Sequence, residues 1–464
     1  VSQTFKIKLA AIAKDEGFYL PLWVYHHLRF GFDVLDIRIN DTTDNSWQVL
    51  EELKTIYGER LTFSYADREM EECQTKDINF QAYIYHEIYQ KTLNEDFTHL
   101  MFLDIDEYWC SANFSSTIKD FLAEVNDFDV CMFQWLIESP NAERKINDFA
   151  FQAIITGQKS DHVKSLLNMQ ASVKTVRVHN YIIKGGRYIL PNLAKVDFLD
   201  TDRTRGILSS KIFEDNRLKV DKYFIYHQIF RSQDEYVSSL LRGNKQCGSD
   251  SLLKNNRFGF ASSYSLEYNL IWRITEGILA DYLEGYKAFI QNFEMERDIS
   301  RQFVLERRNK VLNYLKDDVF LNSLHESKMF GLSSEIYLPK QIKYPIQVKI
   351  KNVYFDEHKN CCNLTCIVLS EESDYDLMIT KSFNKEPLDA RINLIESKAK
   401  LPRIVKKYEI EVDIANLVNF LYREAPPFCL AAKIDDEIIL LARTEFHILS
   451  EVIASKVSDL RKKL

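Results

Sequence analysis

Glycine and proline are scarce in this chain, at 13 and 9 of 464 residues. Long disordered linkers draw heavily on such residues, so they are excluded as a major part of it. No apolar run approaches the ~20 residues that span a bilayer. No charged stretch followed by an apolar one opens the chain in the manner of a secretory signal. The first residue is Val1, which leaves a lost N-terminal anchor open. A basic stripe is missing too. With a net charge of −8, nucleic acid is not the expected partner. There is neither a Walker-type phosphate loop nor a dinucleotide-binding Gly-x-Gly-x-x-Gly run. The eight cysteines are scattered; Cys361, Cys362 and Cys366 lie close together, but no second pair completes a zinc site. They read as reduced, buried thiols of a cytosolic protein.

What is present is the mix of a folded globular protein, 46% hydrophobic and 28% charged. The 24 Tyr and 30 Phe offer large core side chains and ring platforms for a sugar or a base. The length argues for more than one domain.

The first part alternates strand and helix patterns. Phe5–Ala13, Val34–Ile39, Leu61–Tyr65 and His99–Leu103 read as strands, with helices at Phe18–Phe30, Trp47–Tyr57 and Asn79–Leu93 between them. That order predicts an α/β fold with a mostly parallel sheet and helices on both faces. Ile118–Val125 follows as a helix, and Val130–Ile137, Val173–Ile183 and Phe224–Phe230 as strands. Asp234–Arg242 and a long stretch over Ser265–Leu315 read as helical. Beyond a boundary near Leu321–Pro345, six strand patterns from Ile346 to Phe446 predict a smaller β-rich, sandwich-like domain. The expected division is 1–250, a helical extension 251–335, and 336–464. The tail Glu451–Leu464 reads as a solvated helix with cations at its C-terminus.

Chemistry gathers at the carboxyl ends of parallel strands. There the chain places Leu103-Asp104-Ile105-Asp106-Glu107 after an almost wholly apolar strand. Two carboxylates at i and i+2 can approach one hard cation, Mg²⁺ or Mn²⁺, and leave positions for phosphate oxygens. A solvated acidic loop is the plain alternative. Lys14 and Asp15 end the first strand: Lys14 can face a phosphate, and Asp15 can either serve the site or cap the next helix. Asp41 and Asp44 end the second, where a carboxylate can accept from a ribose hydroxyl or a base N–H, or simply close a turn.

From Lys8 to about Asn244 the chain resembles the family 2-like and family 92-like glycosyltransferases, which have a GT-A, Rossmann-like fold. Four stretches carry the likeness: Lys14-Asp15-Glu16 with Tyr19-Leu20-Pro21-Leu22-Trp23 and Tyr25-His26; Asn40-Asp41 with Asp44-Asn45-Ser46; Phe102-Leu103-Asp104-Ile105-Asp106-Glu107-Tyr108; and Tyr226-His227-Gln228 through Arg231-Ser232, Glu235-Tyr236 and Arg242-Gly243. His162-Val163-Lys164-Ser165 and Val178-His179 resemble a further pair. Asp15 stands where the family pattern usually has Asn.

The resemblance implies Mn²⁺ or Mg²⁺ on Asp104 and Asp106, with His227 as third ligand or diphosphate contact. It also implies a UDP-sugar donor, with Asp41 at the uridine. Lys164 and Arg231 can screen the leaving diphosphate, or simply stand solvated at the surface. His179 is a weaker candidate. An inverting transferase needs a general base. Glu138, at the end of the Val130–Ile137 strand, is the positional candidate, with Asp161 and Asp202 as rivals; the family pattern does not reach Glu138. The expected function is transfer of a sugar to a glycan acceptor for a surface polysaccharide or lipid-linked glycan, in the cytoplasm or at the inner membrane face. Two other readings stay open: a metal-dependent nucleotidyltransferase or phosphohydrolase, and a non-catalytic carbohydrate-binding protein of transferase-like fold.

Overall fold

The computed structural model describes residues 4–125, 127–194, 219–242 and 270–317, with short pieces at 196, 198, 206–208, 253–254, 257, 259–260, 328–329, 331–333 and 335–336. Further on it describes 346–356, 361–370, 376–380, 387–388, 390–400, 403–413, 429–434 and 437–443. Asp202 and the expected tail helix lie outside the described residues. Two compact units emerge: Val1–Arg242 with Phe260–Lys310, and Gly243–Gly259 with Val311–Leu464.

In the first unit the order is β1 (Ile7–Ala13), α1 (Leu20–Arg29), β2 (Val34–Ile39), α2 (Ser46–Tyr57), β3 (Leu61–Tyr65), α3 (Asp67–Thr75), α4 (Phe80–Thr92), β4 (His99–Phe102) and β5 (Glu107–Ser111). Then come α5 (Ile118–Glu124), β6 (Val130–Glu138), β7 (Ile154–Asn168), β8 (Val173–Val176), β9 (Tyr181–Ile183), β10 (Tyr188–Ile189), β11 (Tyr223–His227), α6 (Gln233–Leu240), β12 (Leu270–Arg273), α7 (Glu276–Ile290) and α8 (Glu294–Asp317).

The main sheet runs β3-β2-β1-β4-β7-β6-β11-β5, with β10 on β6 and β12 on β7. β3, β2, β1 and β4 are parallel, as the alternating sequence predicts. The sheet then turns mixed. β7 pairs antiparallel to β4, β6 and β12, while β11 is parallel to β6 and antiparallel to β5. β7 is one element that the apolar-run criterion does not predict. Its sequence IITGQKSDHVKSLLN carries polar residues through its middle, and only its C-terminal part is continuously buried. At Gly157 a side chain would bring a Cβ within 2.6 Å of the Ile137 carbonyl oxygen, so the β6–β7 pairing needs a glycine there.

Two further expectations are corrected. Val173–Ile183 is not one strand but a hairpin of β8 and β9. The expected helical stretch over Ser265–Leu315 contains β12, whose Leu270 and Trp272 point inward while Ile271 and Arg273 face out, a two-residue period that a helix does not give.

Local rules explain several element ends. α1 carries Pro at its start, where no N–H is missed. Asn79 caps α4 by accepting from the Ala82 N–H at 2.9 Å. Thr117 with Asp120 and Ser232 with Glu235 form capping boxes on α5 and α6. On one side of the sheet the core holds Trp23, Trp109, Tyr108, Phe151, Tyr226, Trp272 and Tyr282 around His26 and His27. His26 sits between the Tyr282 hydroxyl (3.0 Å) and the Trp109 carbonyl (2.8 Å). Burial holds its pKa down to about 3, so the ring is neutral. A smaller core of Phe80, Ile84, Tyr85, Phe102 and Tyr181 lies under α4.

In the second unit β13 (Ile346–Asp356), β14 (Cys361–Ser370), β15 (Asp376–Thr380), β16 (Pro387–Leu388), β17 (Ala390–Lys400), β18 (Arg403–Asp413), β19 (Cys429–Ile434) and β20 (Glu437–Arg443) form two four-stranded sheets, β13-β14-β18-β17 and β16-β15-β19-β20. Every pairing is antiparallel among the described residues. Among the described residues no helix is long and apolar enough to cross a membrane.

Candidate functional site

The turn between β4 and β5 is fixed from several sides. The Glu107 N–H donates to the Asp104 carbonyl at 3.0 Å. The Trp23 indole donates to the carbonyls of Asp104 and Glu107, both at 3.1 Å. The Gln228 N–H donates to the Asp106 carbonyl at 2.9 Å and ties the turn to the end of β11. Asp104 and Asp106 therefore leave a rigid backbone at the carboxyl end of β4.

Their side chains have different partners. Asp104 Oδ2 takes the Lys164 ammonium at 3.0 Å, and Oδ1 accepts from Gln81 at 3.0 Å and from the Tyr85 hydroxyl at 3.4 Å. Lys164 rises from β7, is wholly buried, and also pairs with Glu107 Oε2 at 3.1 Å. That same oxygen accepts from the Asp104 N–H at 2.9 Å, while Glu107 Oε1 is buried with no hydrogen-bond partner. Burial pushes the Glu107 carboxyl well above the usual carboxylate range, against the pull of Lys164. For Asp104, burial acts in the same direction, but Lys164 outweighs it and holds the group ionised below its ordinary value. Burial disfavours the charge on Lys164, and the two carboxyl groups more than restore it.

Asp106 turns toward His227. Its Oδ1 lies 3.6 Å from His227 Nε2. His227 is 7% exposed, and its Nδ1 is buried with no hydrogen-bond partner. The ring stands edge-on to Trp135 at 4.4 Å. Trp135 sits at a register shift in β6, stacks on His162 (5.1 Å, 9°), and meets the edge of His179 at 5.4 Å. Burial, then Lys164, hold His179 down to about 3.

Among the described residues no three His, Cys, Asp or Glu side chains are grouped to hold a metal ion. Asp106 and His227, an oxygen and an imidazole nitrogen close together, fit as two neighbouring ligands of Mn²⁺ or Mg²⁺, which take their remaining positions from water and phosphate oxygens. Asp104, held by three donors, fits as supporting charge beside them rather than as a third ligand.

The neighbouring edge is formed by the loops after β1 and β2. Lys14 pairs with Asp41. Asp15 (φ 50°), Asp41 (φ 46°) and Arg231 (φ 55°) all adopt the left-handed backbone region, which non-glycine residues seldom enter. Such strain clusters at ligand sites. The Asp15 carboxylate takes the Thr43 N–H at 2.7 Å and pairs with Arg307 at 2.9 Å. Asp44 accepts from the Gly17 N–H at 2.8 Å and the Ser46 N–H at 2.9 Å. Asp44 thus works within the loops, while Asp15 also reaches helix α8 through Arg307. Glu16 pairs with Arg242 at 2.7 Å and with Arg231 at 3.5 Å. Arg231 also lies over the Tyr19 ring at 3.3 Å and donates to the Ile105 carbonyl at 3.4 Å.

Glu138 ends β6. Its Oε1 takes Arg144 at 2.6 Å and its Oε2 takes the Gln228 amide at 3.1 Å, so Gln228 links it to the Asp106 backbone. Burial raises the Glu138 pKa despite Arg144. Asp161 is half-exposed and hydrogen-bonded to His162, which lowers its pKa and makes it the weaker base. The sequence assigned no role to Glu107, Trp135, Arg144, Gln228 or Arg307. Glu107 and Gln228 lay inside the recognised motifs; the partners of Arg144 and Arg307 are visible only in three dimensions.

No protein-family profile matches the chain, and no curated protein does. Among solved structures, one that matches is core-mannan synthase A from Aspergillus fumigatus in its Mn/GDP form, at 11% sequence identity and a TM-score of 0.19. The match covers 30% of this chain and 44% of that one.

Proposed function

We propose that this chain is a glycosyltransferase that moves a sugar from a nucleotide-sugar donor, a UDP-sugar, to a hydroxyl of a glycan acceptor. The observation that supports it most is the Asp106–His227 pair, 3.6 Å apart at strand ends, with the half-buried Arg231 on the Ile105 carbonyl next to it. Asp106 and His227 would hold Mn²⁺ or Mg²⁺, whose chemistry there is to stabilise charge on a departing nucleoside diphosphate. Asp104 with Lys164 sets the turn and the local charge. Arg231, held by Glu16 and over the Tyr19 ring, donates its remaining N–H groups to the diphosphate. Asp41 and Lys14 face the nucleoside end, where Asp41 accepts hydrogen bonds from it.

Glu138 takes the acceptor proton, and the reaction inverts the anomeric centre. Burial raises its pKa above the ordinary carboxylate value, which strengthens it as a base. Its two oxygens, although engaged by Arg144 and Gln228, keep lone pairs for the acceptor hydroxyl. A surface polysaccharide or lipid-linked glycan made at the cytoplasmic face of a membrane is the product this reading favours. Turnover against a panel of nucleotide sugars with Mn²⁺ tests it. Hydrolysis or transfer from a UDP-sugar, lost on Asp106→Ala, supports it; no turnover and no nucleotide binding across the panel refutes it.

A further inference from the structure

We propose that helix α8 belongs to the nucleotide-binding edge, and that Arg307 is a positioning residue whose ion pair with Asp15 locks the loops after β1 and β2 in their binding geometry. This rests on the reading of the previous subsection.

One carboxylate joins three elements. Asp15 Oδ1 accepts from the Thr43 N–H (2.7 Å) and hydroxyl (3.2 Å) in the β2–α2 loop, while Oδ2 takes Arg307 from α8 at 2.9 Å. Asp15 is 6% exposed and Arg307 7%. Arg307 Nε donates to the Ser238 hydroxyl of α6 at 2.9 Å, and α6 follows directly on Arg231. The helix therefore reaches both sides of the proposed site.

A second latch lies two turns earlier on α8. Asn45, at the start of α2, donates to the Glu296 carbonyl at 2.8 Å and accepts from the Ser300 hydroxyl at 2.6 Å. Gly17 is pressed into this junction: a Cβ there would meet Ser300 Oγ at 2.9 Å and Asn45 Oδ1 at 3.0 Å. The latched loops carry Lys14 and Asp41, and two of their residues, Asp15 and Asp41, have left-handed backbones. Strained conformations persist only where surrounding contacts over-determine them. Without Arg307, Asp15 is a buried charge without its counter-ion, and the strained turn loses its outer restraint.

The test uses the full chain, with UDP and Mn²⁺ in a calorimeter and the unfolding midpoint followed by tryptophan fluorescence. All five tryptophans lie at or before Trp272, so the signal reports the first unit. Arg307→Met should weaken UDP binding about 10-fold or more, the scale seen when supporting partners of a binding group are removed. Arg307→Lys should restore most of it. In Asp15→Asn/Arg307→Met the unpaired charge is gone and Asn tolerates the left-handed turn, so the midpoint should return toward wild type while UDP binding stays weak. That split is what a merely structural residue would not give. If Arg307→Met does not fold, the double variant alone decides. Wild-type UDP affinity in the folded double variant overturns the lock. A wild-type chain that binds no nucleoside diphosphate overturns the functional reading, and this role for Arg307 with it.

Discussion

Replacing Lys164 by Met probes the charge balance under the candidate site. The ammonium is wholly buried and sits 3.0 Å from Asp104 and 3.1 Å from Glu107. Removing one member of a buried ion pair costs ~3–5 kcal/mol because the partner is left uncompensated. Asp104 is 37% exposed at its side chain, so water can take up part of the loss on that side. A cost of about 3 kcal/mol, the lower end of that range, is therefore expected. Adding Glu107→Gln should recover part of it, with a coupling of roughly 1–2 kcal/mol in a double-mutant cycle.

The pH dependence has a definite sign. Without Lys164, the Asp104 carboxyl in the folded chain rises toward or above its unfolded value. A carboxyl raised in the folded state destabilises at higher pH and is relieved as pH falls. The deficit of the variant should therefore be largest near pH 7 and shrink toward pH 4. Denaturant titration followed by tryptophan fluorescence reads it in the first unit. A Lys164→Met midpoint equal to wild type at pH 7 would refute the buried position of the ammonium.

His26 is neutral in the core with a pKa of about 3, against 6.5 when exposed. Its stabilising share is full above pH 6.5 and is lost as pH falls, by about 2 kcal/mol at pH 5; a first unit equally stable at pH 7 and pH 5 would contradict this. Asp41→Ala frees Lys14 from its partner and should weaken UDP binding several-fold without altering the preference for Mn²⁺ over Mg²⁺, as read by calorimetry; unchanged affinity would make Asp41 a turn residue only. Gly157→Ala forces a Cβ onto the Ile137 carbonyl and should destabilise the first unit by about 1–3 kcal/mol in chemical denaturation.

Much of the first unit was legible because β1 and β4 are buried on both faces and read as apolar runs: β1, β2, β3 and β4 and the helices α1, α2 and α4 lie within a few residues of their expected places, while the polar α3 was missed. β5 was not, because Glu107–Ser111 begins with a carboxylate that local pattern assigns to an acidic loop, and only the pairing with β11 makes it a strand. β12 hid in a helix-like composition, and β17 hid behind the charged residues of Ala390–Lys400.

In the site, the residue types were visible but their partners were not. Lys164 looked like a phosphate ligand and is instead the internal counter-ion of Asp104 and Glu107. Asp15 stood out as a site or capping residue and as an Asp in place of Asn, but not as the partner of a distant arginine. Its partner Arg307 lies 292 residues further on, beyond the reach of any local pattern.

The central claim is that Asp106 and His227 together hold a cation that receives a nucleoside diphosphate. Calorimetric titration of UDP into wild type, Asp106→Ala and His227→Ala, each with and without Mn²⁺, tests it most directly. Mn²⁺ should tighten UDP binding about 10-fold or more in wild type, a usual coupling between two ligands, and by little in either folded variant. Equal UDP affinity with and without Mn²⁺ in wild type would contradict the account.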